Sequence, residues 1–203
     1  MAGRPRNEQA RREILRRAAD LASVDGLDGL TLGRLAASLG LSKSGLFGYF
    51  GSKEELQLAT VRIATEVYLE HVITPALRTP PGIGRLRALC ARWLDYSRSR
   101  VFPGGCFFFA TMAEFDARPG PVRDALAEAS RAWTGLVSQT IADAVALNEL
   151  APDTDPAQLA FELIAFLETA NATALLQDDD TPYRLAERAI HTRLDALLAR
   201  HPG

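Results

Sequence analysis

The chain has 203 residues, 47% hydrophobic and 24% charged, with a net charge of −2. That is enough apolar material for one large or two small globular domains, and it excludes a disordered or fibrous chain. No apolar run reaches the ~20 residues of a bilayer span, and the N-terminal arginines have no apolar stretch behind them, so a cytoplasmic protein without a membrane partner is expected.

The charge is uneven. Residues 1–53 hold nine Lys+Arg against five Asp+Glu, a balance of +4, and the remainder carries −6. A basic head on an acidic body points to a polyanion-binding segment joined to a segment with another task. Cys90 and Cys106 lack metal-ligand spacing and read as buried thiols. His71, His191 and His201 form no HExxH-type pair, so neither a metal nor a cofactor is expected.

Helical periodicity runs through the whole chain, with no sustained period-2 alternation. The first helix is expected from a cap near Asn7 to Gly26, with Ile14, Leu15, Ala18, Leu21 and Ala22 on one face. Thr31 caps a short helix that Gly40 stops. Ser42 opens another, "KSGLFGYF", and Ser52 with Glu55 forms a capping box at the start of a long helix running to Pro75. Beyond "TPPGIG" come a helix near Ile83–Arg100, the break "FPGG", the apolar "CFFFATMAEF", a helix opened by Pro121, and two more after Asp155–Pro156 and Thr181–Pro182. The expectation is an all-α protein of about nine helices, without internal repeats.

The segment "TLGRLAASLGLSKSGLFGYF" reads as a helix-turn-helix. Leu32, Leu35, Ala36 and Leu39 supply the packed face of its first helix. Leu41, Leu46 and Phe50 tie the second to the rest. Such a unit lays its second helix in the major groove of DNA. Ser42, Ser44 and Gly45 are small, so the backbone can approach a duplex closely, and Lys43 reaches a base edge or a phosphate. Gly48 sacrifices helix propensity, about 1 kcal/mol against alanine, which suits a position where a side chain would strike DNA. Phe47 and Tyr49 project to different sides, so at least one leaves the core. Phe47 suits a thymine methyl, and the Tyr49 hydroxyl a phosphate. Lys53 opposes the dipole of the helix it starts, a cost that a nearby phosphate would reverse.

At these residues the chain resembles the TetR (tetracycline-repressor) family of transcriptional regulators. The similarity covers about Arg11 to Val67. "LFGYFGSKEEL" resembles the family's Leu-Tyr-x-x-Phe-x-x-Lys-x-x-Leu pattern, with Phe47 in place of the usual Tyr and Gly48 in place of a commonly larger residue. The resemblance implies a phosphate contact at Lys53, the cap before the first helix of the motif at Thr31, and a backbone- or groove-facing role for Arg34. It also implies a three-helix DNA-binding domain (residues 9–69), a helical ligand-binding and dimerisation domain (70–203), a homodimer, an inverted-repeat operator in double-stranded DNA and a small-molecule effector.

In the body, Trp93, Tyr96, Phe107, Phe108, Met112 and Phe115 are the residues expected to line an apolar effector site, with ordinary core packing as the competing use. Glu114, Asp116 and Asp95 read as surface ion-pair residues. "PAQLAFELIAFLETANATALL" is apolar nearly all round and needs cover on both faces. Ala165, Thr169 and Ala172 of that helix, with Ile190 and Leu194 of the last, are the expected dimer contacts. The functional expectation is a repressor released by an apolar or aromatic ligand. The alternative class is an all-helical enzyme or ligand carrier, for which the chain shows no nucleophile–base motif, phosphate loop or metal cluster.

Overall fold

The computed structural model describes residues 3–199, with side chains from Glu8 onward and excepting that of Lys43. Nine helical segments account for the described chain: α1 (Gly3–Asp25), α2 (Leu32–Leu39), α3 (Lys43–Phe47), α4 (Lys53–Tyr68), α5 (Ile83–Arg98), α6 (Phe107–Phe115), α7 (Pro121–Ala146), α8 (Pro156–Gln177) and α9 (Thr181–Ala196). The helix α1 starts upstream of Asn7, whose side chain lies outside those described. After Tyr68, α4 runs on through a π-helical turn, Leu69–Ile73, into Thr74–Ala76. Pro75 explains the widening. Its ring would strike the carbonyl four residues back in a regular helix, and it brings no N–H to donate.

The helices form two compact units that do not follow chain order. One runs through Val67 and takes in Phe102–Ala129. The other holds Tyr68–Val101 and the chain from Ser130 on.

In the first unit, α1 packs on α2 and α6, and α2 on α3. Ile14, Leu15, Ala18 and Ala22 of α1 are buried, as are Leu35, Leu46 and Phe50. Four of the five residues expected on the α1 stripe are therefore buried, and Leu21 is half-buried. Leu41 is not a core residue. It is 46% exposed, because it follows the left-handed cap at Gly40 and gives the motif its backbone N–H rather than its side chain.

The α6 phenylalanines have a structural task here. Phe107 is fully buried, 5.8 Å from the Phe102 ring and 5.4 Å from Phe108 in an edge contact. The Arg16 guanidinium of α1 sits 4.5 Å above Phe102. Phe108 and Phe115 are also buried, Met112 is half-buried and Phe109 is 38% exposed. Trp93 and Tyr96 belong to the other unit. The six residues expected around one effector are thus split, and Phe107 fills the first unit's core. Three consecutive phenylalanines must point three ways, and here two meet core while the third turns outward.

The turn before α6 is pinned to the end of α1. Gly105 N donates to Phe102 O at 2.8 Å, and Gly104 N to the Ser23 hydroxyl at 3.0 Å. A Cβ at Gly104 would lie far inside van der Waals contact with the Ser23 carbonyl oxygen.

In the second unit, α9 packs on α8 and on α5, and α5 on α8. A buried polar knot fastens all three. Ser97 Oγ donates to Asn171 Oδ1 at 2.7 Å and lies 2.8 Å from the Tyr183 hydroxyl. Arg193 Nε meets Glu162 Oε2 at 2.5 Å and holds that carboxyl below its usual value. Tyr183, Ala186, Ile190 and Leu194 form the buried stripe of α9. This corrects the expectation that Ile190 and Leu194 face a partner subunit. A single amphipathic stripe cannot pack inward and outward at once, and internal packing takes it. Pro156–Gln177 is long and apolar enough to cross a membrane by length and composition, contrary to the sequence reading. The fold uses it as packing surface for α9 and α5.

Neither cysteine forms a disulfide, and both are buried. Burial pushes the Cys90 thiol up to about 12, which leaves it an inert core group.

Gly104→Ala tests the pinned turn. The backbones of Ser23 and Gly104 must separate, at a cost of about 1–3 kcal/mol for overpacking. The thermal midpoint is expected to fall by about 3–10 °C, followed by circular dichroism at 222 nm. An unchanged midpoint would show that the approach is not tight.

Candidate nucleic-acid interface

Local hydrogen bonds build the helix-turn-helix. The Thr31 hydroxyl accepts from Arg34 N at 3.2 Å and starts α2. Gly40, at φ +64°, ends it. Gly40 N donates to Ala37 O and Leu41 N to Ala36 O, the Schellman pattern that favours glycine. The Ser42 hydroxyl accepts from Gly45 N at 3.1 Å and starts α3. The helix is shorter than expected, since Gly48 already caps it. Leu46 and Phe50 point fully inward. Ser44, Gly45, Phe47 and Gly48 face outward, with Phe47 51% exposed. Tyr49 is half-buried, its ring 6.3 Å from Phe50. The side chain of Lys43 lies outside the described residues.

At α4, Glu55 N donates to the Ser52 hydroxyl at 3.0 Å. The return bond reaches one residue further than in a standard capping box, because Glu55 Oε2 accepts from Gly51 N at 2.9 Å.

The loop between α1 and α2 is where the sequence reading saw least. Gly26 has φ +82°, and a Cβ there would collide with the Glu114 carboxylate. That carboxylate, from α6, accepts from Leu27 N at 3.0 Å and Asp28 N at 2.7 Å. The Gln57 amide donates to Leu27 O at 2.9 Å. Lys53 Nζ donates to Asp28 O at 2.6 Å and to Asp28 Oδ1 at 2.9 Å. Arg118 Nη1 donates to Asp28 Oδ2 at 3.0 Å. Hydrogen bonds from Lys53, and next from Arg118, hold the Asp28 carboxyl below its usual value. Arg34 Nη2 meets Asp25 Oδ2 at 2.7 Å.

Lys53 was expected to need a phosphate at the start of its helix. Asp28 meets that electrostatic need within the chain. Glu114, expected at the surface as an ion-pair residue, instead binds two backbone amides. Asp28, Gln57 and Arg118 were not foreseen. Their contacts span 25 to 90 residues of sequence, and no periodicity or local motif reports such pairs.

Two comparisons bear on this geometry. Residues 14–60 match the family model of the bacterial regulatory proteins, tetR family, and residues 82–190 match that of the tetracyclin repressor-like C-terminal domain. The chain belongs to the TetR family. It is a DNA-binding transcriptional regulator and not an enzyme. TetR-family regulators bind operator DNA as homodimers and respond to small-molecule effectors. A TetR transcriptional regulator from Chloroflexus aurantiacus J-10-FL is 25% identical over 97% of this chain and 100% of that one, with a TM-score of 0.88. A transcriptional regulator from Saccharomonospora viridis, solved with choline, is 18% identical over 96% of this chain and 100% of its own, at a TM-score of 0.81. AibR, solved with isovaleryl coenzyme A and operator DNA, is 17% identical over 94% and 99%, at 0.73. The last two show the fold alone. No curated protein matches the sequence.

Within this TetR-family head, Gly48 has conventional helical backbone angles, φ −68° and ψ −18°, and an added Cβ would meet only Gly45 O, at 3.4 Å. Gly48→Ala is therefore expected to leave the thermal midpoint unchanged or slightly raised, since alanine is the better helix former. Operator affinity, read by fluorescence anisotropy, is expected to fall at least tenfold. A loss of stability in place of affinity would mean that the glycine serves the fold.

Proposed function

We propose that the protein is a repressor that binds an inverted-repeat operator as a homodimer and releases it when an apolar or aromatic ligand binds. The single observation that carries the DNA assignment is the outward face of α3, where the small residues Ser44, Gly45 and Gly48 are exposed and Phe47 is 51% exposed. In this reading Ser42, Lys43, Ser44, Gly45, Phe47 and Gly48 meet the major groove, while Thr31, Arg34, Tyr49 and Lys53 meet the backbone. Residues 9–69 serve DNA, residues 70–203 serve the effector and the dimer, and the place of action is the cytoplasm.

Two-fold symmetry of the dimer requires an inverted repeat. Selection of bound sequences from random DNA tests this. Recovery of non-palindromic sites, or of none, would overturn the proposal. On the selected operator, Lys53→Ala is expected to weaken binding to all sequences alike and to lower the salt slope by about one unit.

For the dimer we infer that the outward face of α8 meets its copy. Phe161 and Leu176 are 71% and 87% exposed. They share a stripe with Ala165, Thr169 and Ala172, whose small side chains permit close helix approach.

The effector reading is supported by Trp93 and Tyr96, both buried in the second unit. There Tyr96 meets Tyr68 edge-on at 5.5 Å, and Tyr68 meets Trp133 at 5.6 Å. An aromatic effector is expected to change tryptophan fluorescence and to lower operator affinity about 5- to 150-fold. Tyr96→Leu is expected to shift the half-maximal effector concentration more than the operator affinity. An unaltered effector response would place the site elsewhere.

A further inference from the structure

We propose that Asp28 competes with DNA phosphate for Lys53, so that the α1–α2 loop sets how much this lysine contributes to operator binding. The inference rests on the reading of Lys53 as a phosphate contact.

The ammonium of Lys53 has three N–H donors, and two of them go to Asp28, one to its carbonyl and one to its carboxylate. A carboxylate and a phosphate diester offer a cation the same kind of anionic oxygen. One ammonium cannot give its full hydrogen bonding to both. Asp28 is not free to swing aside. Its amide is held by Glu114, the preceding carbonyl by Gln57, and its second carboxylate oxygen by Arg118.

Arg118 decides how readily Asp28 gives Lys53 up. A guanidinium stays charged at any physiological pH. When Lys53 turns to a phosphate, the Asp28 carboxylate keeps one cation at 3.0 Å. Without Arg118 the abandoned carboxylate would draw a cation from solution. Arg118 lies outside the residues matched by the tetR-family model, 14–60, that covers the helix-turn-helix. It acts as a positioning residue, through Asp28 and not through DNA.

The size of the effect follows from exposure. Lys53 and Asp28 side chains are 47% and 48% exposed, so the pair has the strength of a surface ion pair, about a two- to fivefold change in affinity. The salt response gives a second signature. Each lysine–phosphate contact releases about one counterion from DNA. With Arg118 in place a vacated Asp28 takes up no cation, so a Lys53 given wholly to phosphate adds its full release to the slope; only without Arg118 does cation uptake by Asp28 cancel part of it.

The test is a mutant cycle on the selected operator, read by anisotropy across a salt series, with thermal melting as a control for folding. Asp28→Asn is expected to tighten binding about two- to fivefold and to steepen the salt slope by up to about one unit. In a Lys53→Met background the same substitution is expected to change nothing. Arg118→Gln, which leaves Asp28 in place, is expected to weaken binding about twofold, and to do nothing once Asp28 is Asn. Equal tightening by Asp28→Asn with Met at position 53 would mean simple repulsion between Asp28 and DNA, and would overturn the competition. So would weaker binding by Asp28→Asn, which would make Asp28 a support for Lys53. If Lys53→Met alone binds as wild type, the phosphate role of Lys53 fails and the competition with it. If Lys53→Met weakens binding but Asp28→Asn does not tighten it, only the competition fails.

Discussion

One carboxylate holds the DNA-binding unit in shape. Glu114 accepts the amides of Leu27 and Asp28 at the turn where α1 gives way to α2. Bonds from N–H groups to an ionised carboxylate are among the stronger ones in proteins, and two consecutive amides form a ready anion cradle. Gly26 admits the carboxylate because it has no side chain to block it. The position of this turn fixes where Thr31 starts α2, where Asp25 meets Arg34, and which way the Asp28 carboxylate faces. The Thr31 cap and the Arg34–Asp25 pair both lie within a few residues of that contact.

The charge pattern has a related logic. The first 53 residues are net basic, yet many of their cations have partners. Arg34 pairs with Asp25, Lys53 with Asp28, and Arg12 with Glu66 at 2.6 Å. Bare lysines and arginines would bind any duplex by counterion release alone. Cations already matched by acids gain less from arbitrary DNA. They favour a site where shape and base contacts add to the electrostatic term. The acids near the head thus favour discrimination over raw affinity.

The parts legible in the sequence were local. The caps at Thr31, Ser42 and Ser52 lie within three residues of their partners, and the α1 and α9 stripes repeat at the helical period. Such features are written in spacing. The docking of α6 against α1 is not, because Glu114 and Asp28 stand 86 residues apart and neither is unusual in its own neighbourhood. The phenylalanines of α6 were visible as apolar, but apolarity does not say which core receives a ring. Phe107 was therefore read toward a ligand, while its place beside Phe102 is set by a tight turn at Gly104 that only a backbone contact reveals. The same limit applied to α9. Its buried stripe was read correctly as a stripe, and its partner wrongly as a second subunit.

The placement of Phe102–Arg118 also matters for how regulators of this kind can be recombined. A designer wishing to give this DNA-reading head a new sensor would cut the chain after α4, the helix within which the tetR-family match ends. Such a chimera would discard the Gly104 turn, Glu114 and Arg118, and leave two backbone amides at the Leu27–Asp28 turn without the acceptor they have in this fold. A graft that respects the fold must carry this segment along, or use a donor body that presents a carboxylate at the same spot. The compact unit that carries the helix-turn-helix is thus discontinuous in sequence, drawn from the chain through Val67 and from Phe102–Ala129.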